Sequence, residues 1–346
     1  MTMTKISIII PVHNENINII KVLNSILDLD YKNIEVIIID DSDDGITDAL
    51  IRGWLEVHKN ANFVRYVHFE RRLGVSRARN IGLKLASGDY VFLLDADVLL
   101  RKDAISHALK LIASDPNIGA ISLLYLHEKP DFLEKVNASR YIGKVKKGPL
   151  ATGAVMIPKN VIDKVGYFNE CLGYPHQVYE DWEYGVRINK AGFKTLIDGT
   201  IILTHLRKIS LINKINNNNN NPGNNLNIIL SRLRGYISRR RAEALFRVLK
   251  AGDLKLKLEY SLYALSSWMI LLLLFTHALH CFAVFTISYF IGWFIYYLHD
   301  FGFTKFKDSL LYTFIIIISR NIRAFALTLW LPLFYIGHMD KCNEQI

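Results

Sequence analysis

Two carboxylates, Asp95 and Asp97, stand two residues apart at the end of the short apolar run Val91-Phe92-Leu93-Leu94. The run reads as a buried strand. If the backbone stays extended past it, strand alternation sends both acids to the same side. Placed there, they repel each other unless a cation lies between them. A hard divalent ion, held by one or two carboxylates and by the phosphates of a substrate, would resolve that conflict. The plain alternative is a solvated turn. Other groups with chemical potential stand elsewhere in the chain: His13-Asn14-Glu15 after Pro11, Asp40-Asp41 opening an acidic turn that ends at Gly45, Glu180-Asp181 before an amphipathic stretch, and His205 after a strand-like run.

The elements that must position these groups alternate in type. Ile6 to Ile10 is β-rich and predicts a strand stopping at Pro11. Ile19, Ile20, Leu23, Ile26 and Leu27 recur at helical spacing over Asn16 to Leu27. Ile34 to Ile39 predicts a second strand, then a helix over about 48–59, a strand over 63–69, a helix over 77–86 and the strand that ends at Asp95. This βαβα order predicts a twisted, largely parallel sheet with helices on both faces. Such sheets bind ligands at the carboxyl ends of their strands, and three of these ends carry His13-Asn14-Glu15, Asp40-Asp41 and Asp95-Asp97. Further on, the sequence predicts a strand over 118–125, a loop then a strand over 148–157, a helix that Gly192 ends, and a strand over 195–203.

In this order the motifs resemble family 2 glycosyltransferases with the GT-A fold, over about residues 4–206. They are Ser7-Ile8-Ile9-Ile10-Pro11-Val12-His13-Asn14-Glu15, Ile39-Asp40-Asp41-Ser42-Asp43-Asp44-Gly45, Gly74-Val75-Ser76-Arg77-Ala78-Arg79-Asn80-Ile81-Gly82, Ser87-Gly88-Asp89 leading to Asp95-Ala96-Asp97, and Glu180-Asp181 with Lys190-Ala191-Gly192-Phe193. His13 stands where Tyr is common in the family, and the acidic turn is one residue short. The resemblance implies a Rossmann-like α/β domain with a mixed sheet flanked by helices, and an enzyme using a nucleotide-diphosphate-sugar. Pro11, His13, Glu15 and one or both of Asp40 and Asp41 would line the nucleoside pocket, with Arg79 near the diphosphate. Asp95 and Asp97 would hold Mg²⁺ or Mn²⁺ on the donor phosphates, Asp97 as the more direct ligand. His205 either joins the metal or is structural. Asp181 would be the general base, Glu180 would position the acceptor or cap its helix, and Gly153 would let the backbone approach the sugar or acceptor closely.

The second half differs in composition. Residues 211–230 hold an Asn-rich loop, with Asn216 to Asn221 unbroken. Residues 231–257 interleave Arg232, Arg234, Arg239, Arg240, Arg241, Arg247 and Lys250 with apolar positions, predicting an interfacial helix on an anionic leaflet. Residues 258–346 then predict transmembrane helices: a hairpin about 260–298, since one span needs about 20 residues, and a third segment about 309–337. Arg320 and Arg323 leave that segment either spanning with both arginines packed against protein or lying partly in the interface. The net charge of +10 suits an anionic partner, and no nucleic-acid module is present, so a membrane is favoured. Ser7 to Val12 is too short for the core of a signal peptide. Cys171, Cys281 and Cys342 have neither metal-ligand spacing nor a disulfide framework, as in a reducing compartment. The expectation is a multi-pass protein of the cell membrane with its 1–210 domain in the cytoplasm, an inverting, non-processive hexosyltransferase acting on a lipid-linked or membrane-proximal acceptor. The alternatives are a polyprenyl-phosphate hexose synthase resembling dolichol-phosphate-mannose synthase, a processive polysaccharide synthase, which the missing Gln-x-x-Arg-Trp motif disfavours, and a catalytically silent nucleotide-sugar binder.

Overall fold

The strand β1 (Ile6–Val12) is the centre around which the first unit is built. In the computed structural model, described over residues 4–130, 132–172, 179–206, 254–275, 286–293, 317–318, 320–325 and at Leu245, Ile295 and Thr328, β1 is flanked by two parallel neighbours. They are β2 (Ile34–Asp40) and β4 (Tyr90–Leu94). Beyond β2 lies β3 (Val64–His68), again parallel. β1 runs past the expected stop at Pro11. The β1–β4 pairing has already ended at Ile9 and Leu93, so the missing proline N–H leaves no bond of that ladder unmade.

The other half of the sheet is mixed. The later strands are β5 (Val98–Leu99), β6 (Ile118–His127), β7 (Val145–Lys147), β8 (Ala154–Pro158) and β9 (Lys194–His205). The order is β3-β2-β1-β4-β8-β6-β9-β5, with β7 also paired to β9. β8 runs antiparallel to both β4 and β6, so β6 points the same way as β4, and β9 lies parallel to β6. The expected largely parallel sheet is therefore parallel in its first half, while in its second β8, β5 and β7 run against their neighbours.

Alternation along the strands sorts the core into two layers. Ile6, Ile8, Ile10, Val36, Ile38, Phe92 and Leu94 face one side, where α1 (Ile17–Leu27) adds Ile19, Val22, Leu23 and Ile26. Ile9, Ile37, Ile39, Val91 and Leu93 face the other, against Ala78 and Leu83 of α3 (Val75–Leu85). Tyr184 and Ile188 of α7 (Glu180–Lys190) join that second layer. Each fully buried side chain of this kind contributes about 1.5–3 kcal/mol. Gly82 sets how close α3 lies to the sheet, because a Cβ there would collide with the Ile9 side chain. The remaining helices are α2 (Ile46–Val57), α4 (Ala104–Ile112), α5 (Phe132–Ser139) and α6 (Lys159–Val165). Cys171 is disulfide-bonded, a departure from the expectation of a chain without disulfides.

The chain divides into two compact units, Met1–Leu211 and Ile212–Ile346. In the second, α8 (Leu254–Phe275) is a 22-residue helix. Ser266 and Ser267 both donate to Asn321 Oδ1 at 2.8 Å. Tyr263 is fully buried under Trp293, with ring centroids 4.6 Å apart. Arg320 pairs with Glu259 and lies over the Tyr263 ring, so its charge is compensated within the unit. Among the described residues no helix is long and apolar enough to cross a membrane. Of the expected hairpin about 260–298, residues 260–275, 286–293 and 295 are described, and Lys255, Lys257 and Glu259 occupy the first turns of α8. The turn of that hairpin, most of 309–337, the Asn-rich loop and nearly all of the basic segment lie outside the described residues.

Candidate active site

β1, β2, β3, β4, β6 and β9 all point one way, so their carboxyl ends share an edge. A cleft of about 370 Å³ opens on it, lined by Pro11, His13, Glu15, Asp41, Arg79, Asp95, Asp97, Glu180, Asp181 and His205 among others. Asp40 and Gly153 are the sequence-selected residues that do not line it.

The nucleoside end is built from two interlocked turns. Asn14 adopts a left-handed φ of 54°, which its side chain fixes by donating to Asp43 Oδ1 at 2.7 Å. Its backbone N–H donates to Ser42 Oγ at 2.8 Å. Asp41 Oδ2 accepts the N–H groups of Leu73 and Gly74 at 2.7 and 2.8 Å, and the His13 ring lies 3.1 Å from Asp41 Oδ1. Asp41 thereby holds the loop before α3 and brings Arg72 to the cleft wall. Asp40 has a different task, which corrects its assignment to the pocket. It is still within β2, and its carboxylate accepts from Tyr66 Oη at 2.6 Å and the Ser42 N–H at 2.9 Å, with His68 Nδ1 at 3.0 Å. Asp40, Asp48 and His68 bring possible ligand atoms within 4.8 Å of one another. The Tyr66 hydroxyl also lies 2.7 Å from Asp48 Oδ1, and Arg52 Nε donates to the same carboxylate at 2.8 Å, so protein donors already occupy this trio.

Asp95 and Asp97 reach the cleft by a turn rather than by strand alternation. β4 ends at Leu94, and the Val98 N–H bonds back to the Asp95 carbonyl at 3.2 Å. β5 then pairs antiparallel with the end of β9, placing Val98 beside His205. That register sets His205 Nε2 3.2 Å from Asp97 Oδ2, and this hydrogen bond raises the imidazole pKa. The His205 ring is stacked on His127 at 4.2 Å, and His127 Nδ1 lies 3.0 Å from Glu134 Oε1. Two carboxylates and one imidazole form a donor set that fits a divalent ion such as Mn²⁺ or Mg²⁺. Asp95 itself is raised by burial, opposed by Arg79 and reinforced by Asp97.

Arg79 on α3 is 2% exposed. Its two terminal nitrogens donate to Asp95 Oδ1 at 3.1 Å and Glu180 Oε1 at 3.3 Å. Arg79, expected near a diphosphate, lines the cleft and forms a strut between two acids. Glu180, tied in this way, joins α7 to α3.

Asp181 stands in the first turn of α7, after Tyr179, whose left-handed φ of 66° turns the chain into the helix. Its Oδ1 accepts the Trp182 N–H at 2.6 Å. A helix N-terminus favours a carboxylate, yet burial and the neighbouring Glu180 charge win, and Asp181 is raised to about 6. Gly153 approaches closely, as expected, but a protein ring fills the space. A Cβ on Gly153 would lie 2.6 Å from Cζ of Tyr125. The Gly153 carbonyl accepts the Asp95 N–H at 2.9 Å, which joins the loop before β8 to the end of β4.

Residues 7–169 match the model of the family described as glycosyl transferase family 2. This part of the chain is similar to that family. An uncharacterized glycosyltransferase of Rickettsia felis is 34% identical over 176 residues, covering 51% of this chain and 28% of that protein. The poly-beta-1,6-N-acetyl-D-glucosamine synthase of Staphylococcus aureus is 30% identical over 176 residues, covering 47% of this chain and 42% of the synthase. The chain therefore spans well under half the length of these relatives. Among solved structures, the mannosyltransferase PcManGT of Pyrobaculum calidifontis, in complex with GDP-Man and Mn²⁺, is similar at 19% identity with a TM-score of 0.48, covering 91% of this chain and 87% of that one. TarS of S. aureus is similar at 18% identity with a TM-score of 0.49, covering 73% and 50%.

Three cleft residues escaped the sequence reading: Arg72, Tyr125 and Thr152. Arg72 stands two residues before the Gly74 motif, a signal that position alone could have supplied. Tyr125 offered none, since within a strand of apolar residues it reads as core.

Proposed function

We propose that the protein is a metal-dependent, inverting glycosyltransferase that moves one sugar from a nucleotide-diphosphate-sugar to a lipid-linked or membrane-proximal acceptor. The observation that carries this reading is the convergence of Asp95, Asp97, His205 and Asp181 on one cleft. Asp97 and His205, with Asp95 beside them, would hold Mn²⁺ or Mg²⁺. When bound, the ion neutralises charge on the departing diphosphate. Asp181 takes the proton from the acceptor hydroxyl as that oxygen bonds to the anomeric carbon and the bond from this carbon to the donor phosphate breaks. Asp41, His13 and Glu15 face the nucleoside, and Arg79 keeps Asp95 and Glu180 apart and oriented. Attachment to an anionic membrane surface, with the domain on the cytoplasmic side, is supported by the basic segment over 231–257. Exposed Leu258, Leu262, Leu265 and Leu272 along α8 give it further support.

The test is a panel of nucleotide-sugars with Mn²⁺ or Mg²⁺, following donor hydrolysis and transfer to membrane lipid extracts. Transfer of a single sugar supports the reading, and a metal-independent reaction removes its mechanism. Transfer to a bare polyprenyl phosphate would mark the hexose-synthase subclass, in which the acceptor is already ionised and Asp181 matters less. A second reading, polymer synthesis, is favoured by the 30% identity to the staphylococcal synthase. A ladder of products in place of one would select it.

A further inference from the structure

We propose that the Tyr125 hydroxyl binds a hydroxyl of the donor sugar, making Tyr125 a specificity-determining residue of the cleft. The inference rests on the glycosyltransferase reading and deepens it. A sugar hydroxyl both donates and accepts hydrogen bonds. Asp95, Asp97 and Asp181 serve, when ionised, only as acceptors, and the terminal nitrogens of Arg79 are already given to Asp95 and Glu180. The cleft therefore needs a neutral donor beside its acids. Tyr125 lines it, and its hydroxyl makes no hydrogen bond among the described residues.

The phenol is held in place without using its hydroxyl. Its ring packs over Gly153, where a Cβ would lie 2.8 Å from Oη and 2.6 Å from Cζ. The His205 ring meets it edge-on at 5.4 Å. A phenol hydroxyl can donate as well as accept a hydrogen bond. A rigid, unpartnered donor beside the proposed metal pair is placed for the transferred sugar, not for the nucleoside at the Asp41 end.

Titration calorimetry of the full chain with Mn²⁺ tests this. UDP-N-acetylglucosamine, UDP-glucose and GDP-mannose are each compared with UDP or GDP alone. For the donor that wild type binds, Tyr125→Phe should lose affinity about tenfold, with the free nucleotide changed less than about twofold. Gly153→Ala, which keeps the hydroxyl but displaces the ring, should show the same donor-selective loss. Unchanged donor affinity in Tyr125→Phe, or an equal loss for nucleotide and donor, would overturn the inference while leaving the glycosyltransferase reading intact. A wild type that binds no donor, with or without metal, would bring down the reading itself and the inference with it.

Discussion

Arg79 Nη2 donates to Asp95 Oδ1 at 3.1 Å from a position that is almost wholly buried. The same guanidinium also holds Glu180, so one cation compensates two acids. Removing one partner of such a buried pair leaves charge uncompensated. Arg79→Ala is expected to lower the unfolding free energy by about 3–5 kcal/mol. Urea denaturation of the variant checks this, and an unchanged midpoint would show that solvent already shields the acids.

Asp181 gives a pH signature of two kinds. With its carboxyl raised to about 6, a general base should be switched off as pH falls through 6, so kcat/KM should rise to a plateau above it. The folded state binds this proton more tightly than the unfolded chain. Its stabilising share is thus present below the ordinary carboxylate range and lost as pH rises through about 6. Asp181→Asn should abolish transfer yet melt a few degrees higher than wild type at pH 8. A lower melting temperature at that pH would contradict the assigned origin of the shift.

Metal binding should separate His205 from Asp97. Electron paramagnetic resonance of free Mn²⁺, with UDP or GDP present, should show His205→Ala weakening the ion about tenfold or more. Asp97→Ala should weaken it further and lose sugar transfer with little change in the melt. Equal Mn²⁺ affinity in wild type and both variants would exclude this pair as the metal site.

Far from the cleft, Glu35 governs acid stability. Burial opposes its charge, but hydrogen bonds from Ser7, the Ser87 N–H and Lys5 hold its carboxyl down to about 2. A depressed carboxyl stabilises the fold above its unfolded pKa and loses that contribution as pH falls toward 2. Acid unfolding of Glu35→Gln should therefore be shallower between about pH 4.5 and 2, with lower stability at pH 7. Parallel acid titrations of the two proteins would rule the idea out.

How far the sequence reached is clear from particular residues. The strand ends at His13, Asp41 and Asp95 were legible because six strands point the same way and apolar runs mark where each ends. The pairing of Asp97 with His205 was only half legible, since it depends on the two-residue strand β5, too short to carry a period. Asp40 and Asp41 could not be told apart. One residue of pleat separates a carboxylate consumed by Tyr66 and His68 from one that clamps the loop beside the cleft. The direction of β8 was invisible as well, because a buried apolar run reads the same in parallel and antiparallel company. The bonds of Arg79 to Asp95 and Glu180 were not legible, as sequence gives no count of the acids around it.

The reversed strand β8 has a consequence for how the site could be altered. At an edge where every neighbouring strand leaves the sheet, β8 enters it, anchored by Ala154 opposite Leu94 and by the Gly153 carbonyl on the Asp95 N–H. Upstream of that anchor the chain is pinned again, with Leu150 in the core and Gly148 bonded to Thr195 through both its N–H and its carbonyl. Thr152 lies between these two fixed points and lines the cleft, so its side chain can be exchanged while the acids of β4 keep their anchor. The domain thus carries a wall that can be re-faced but not lengthened.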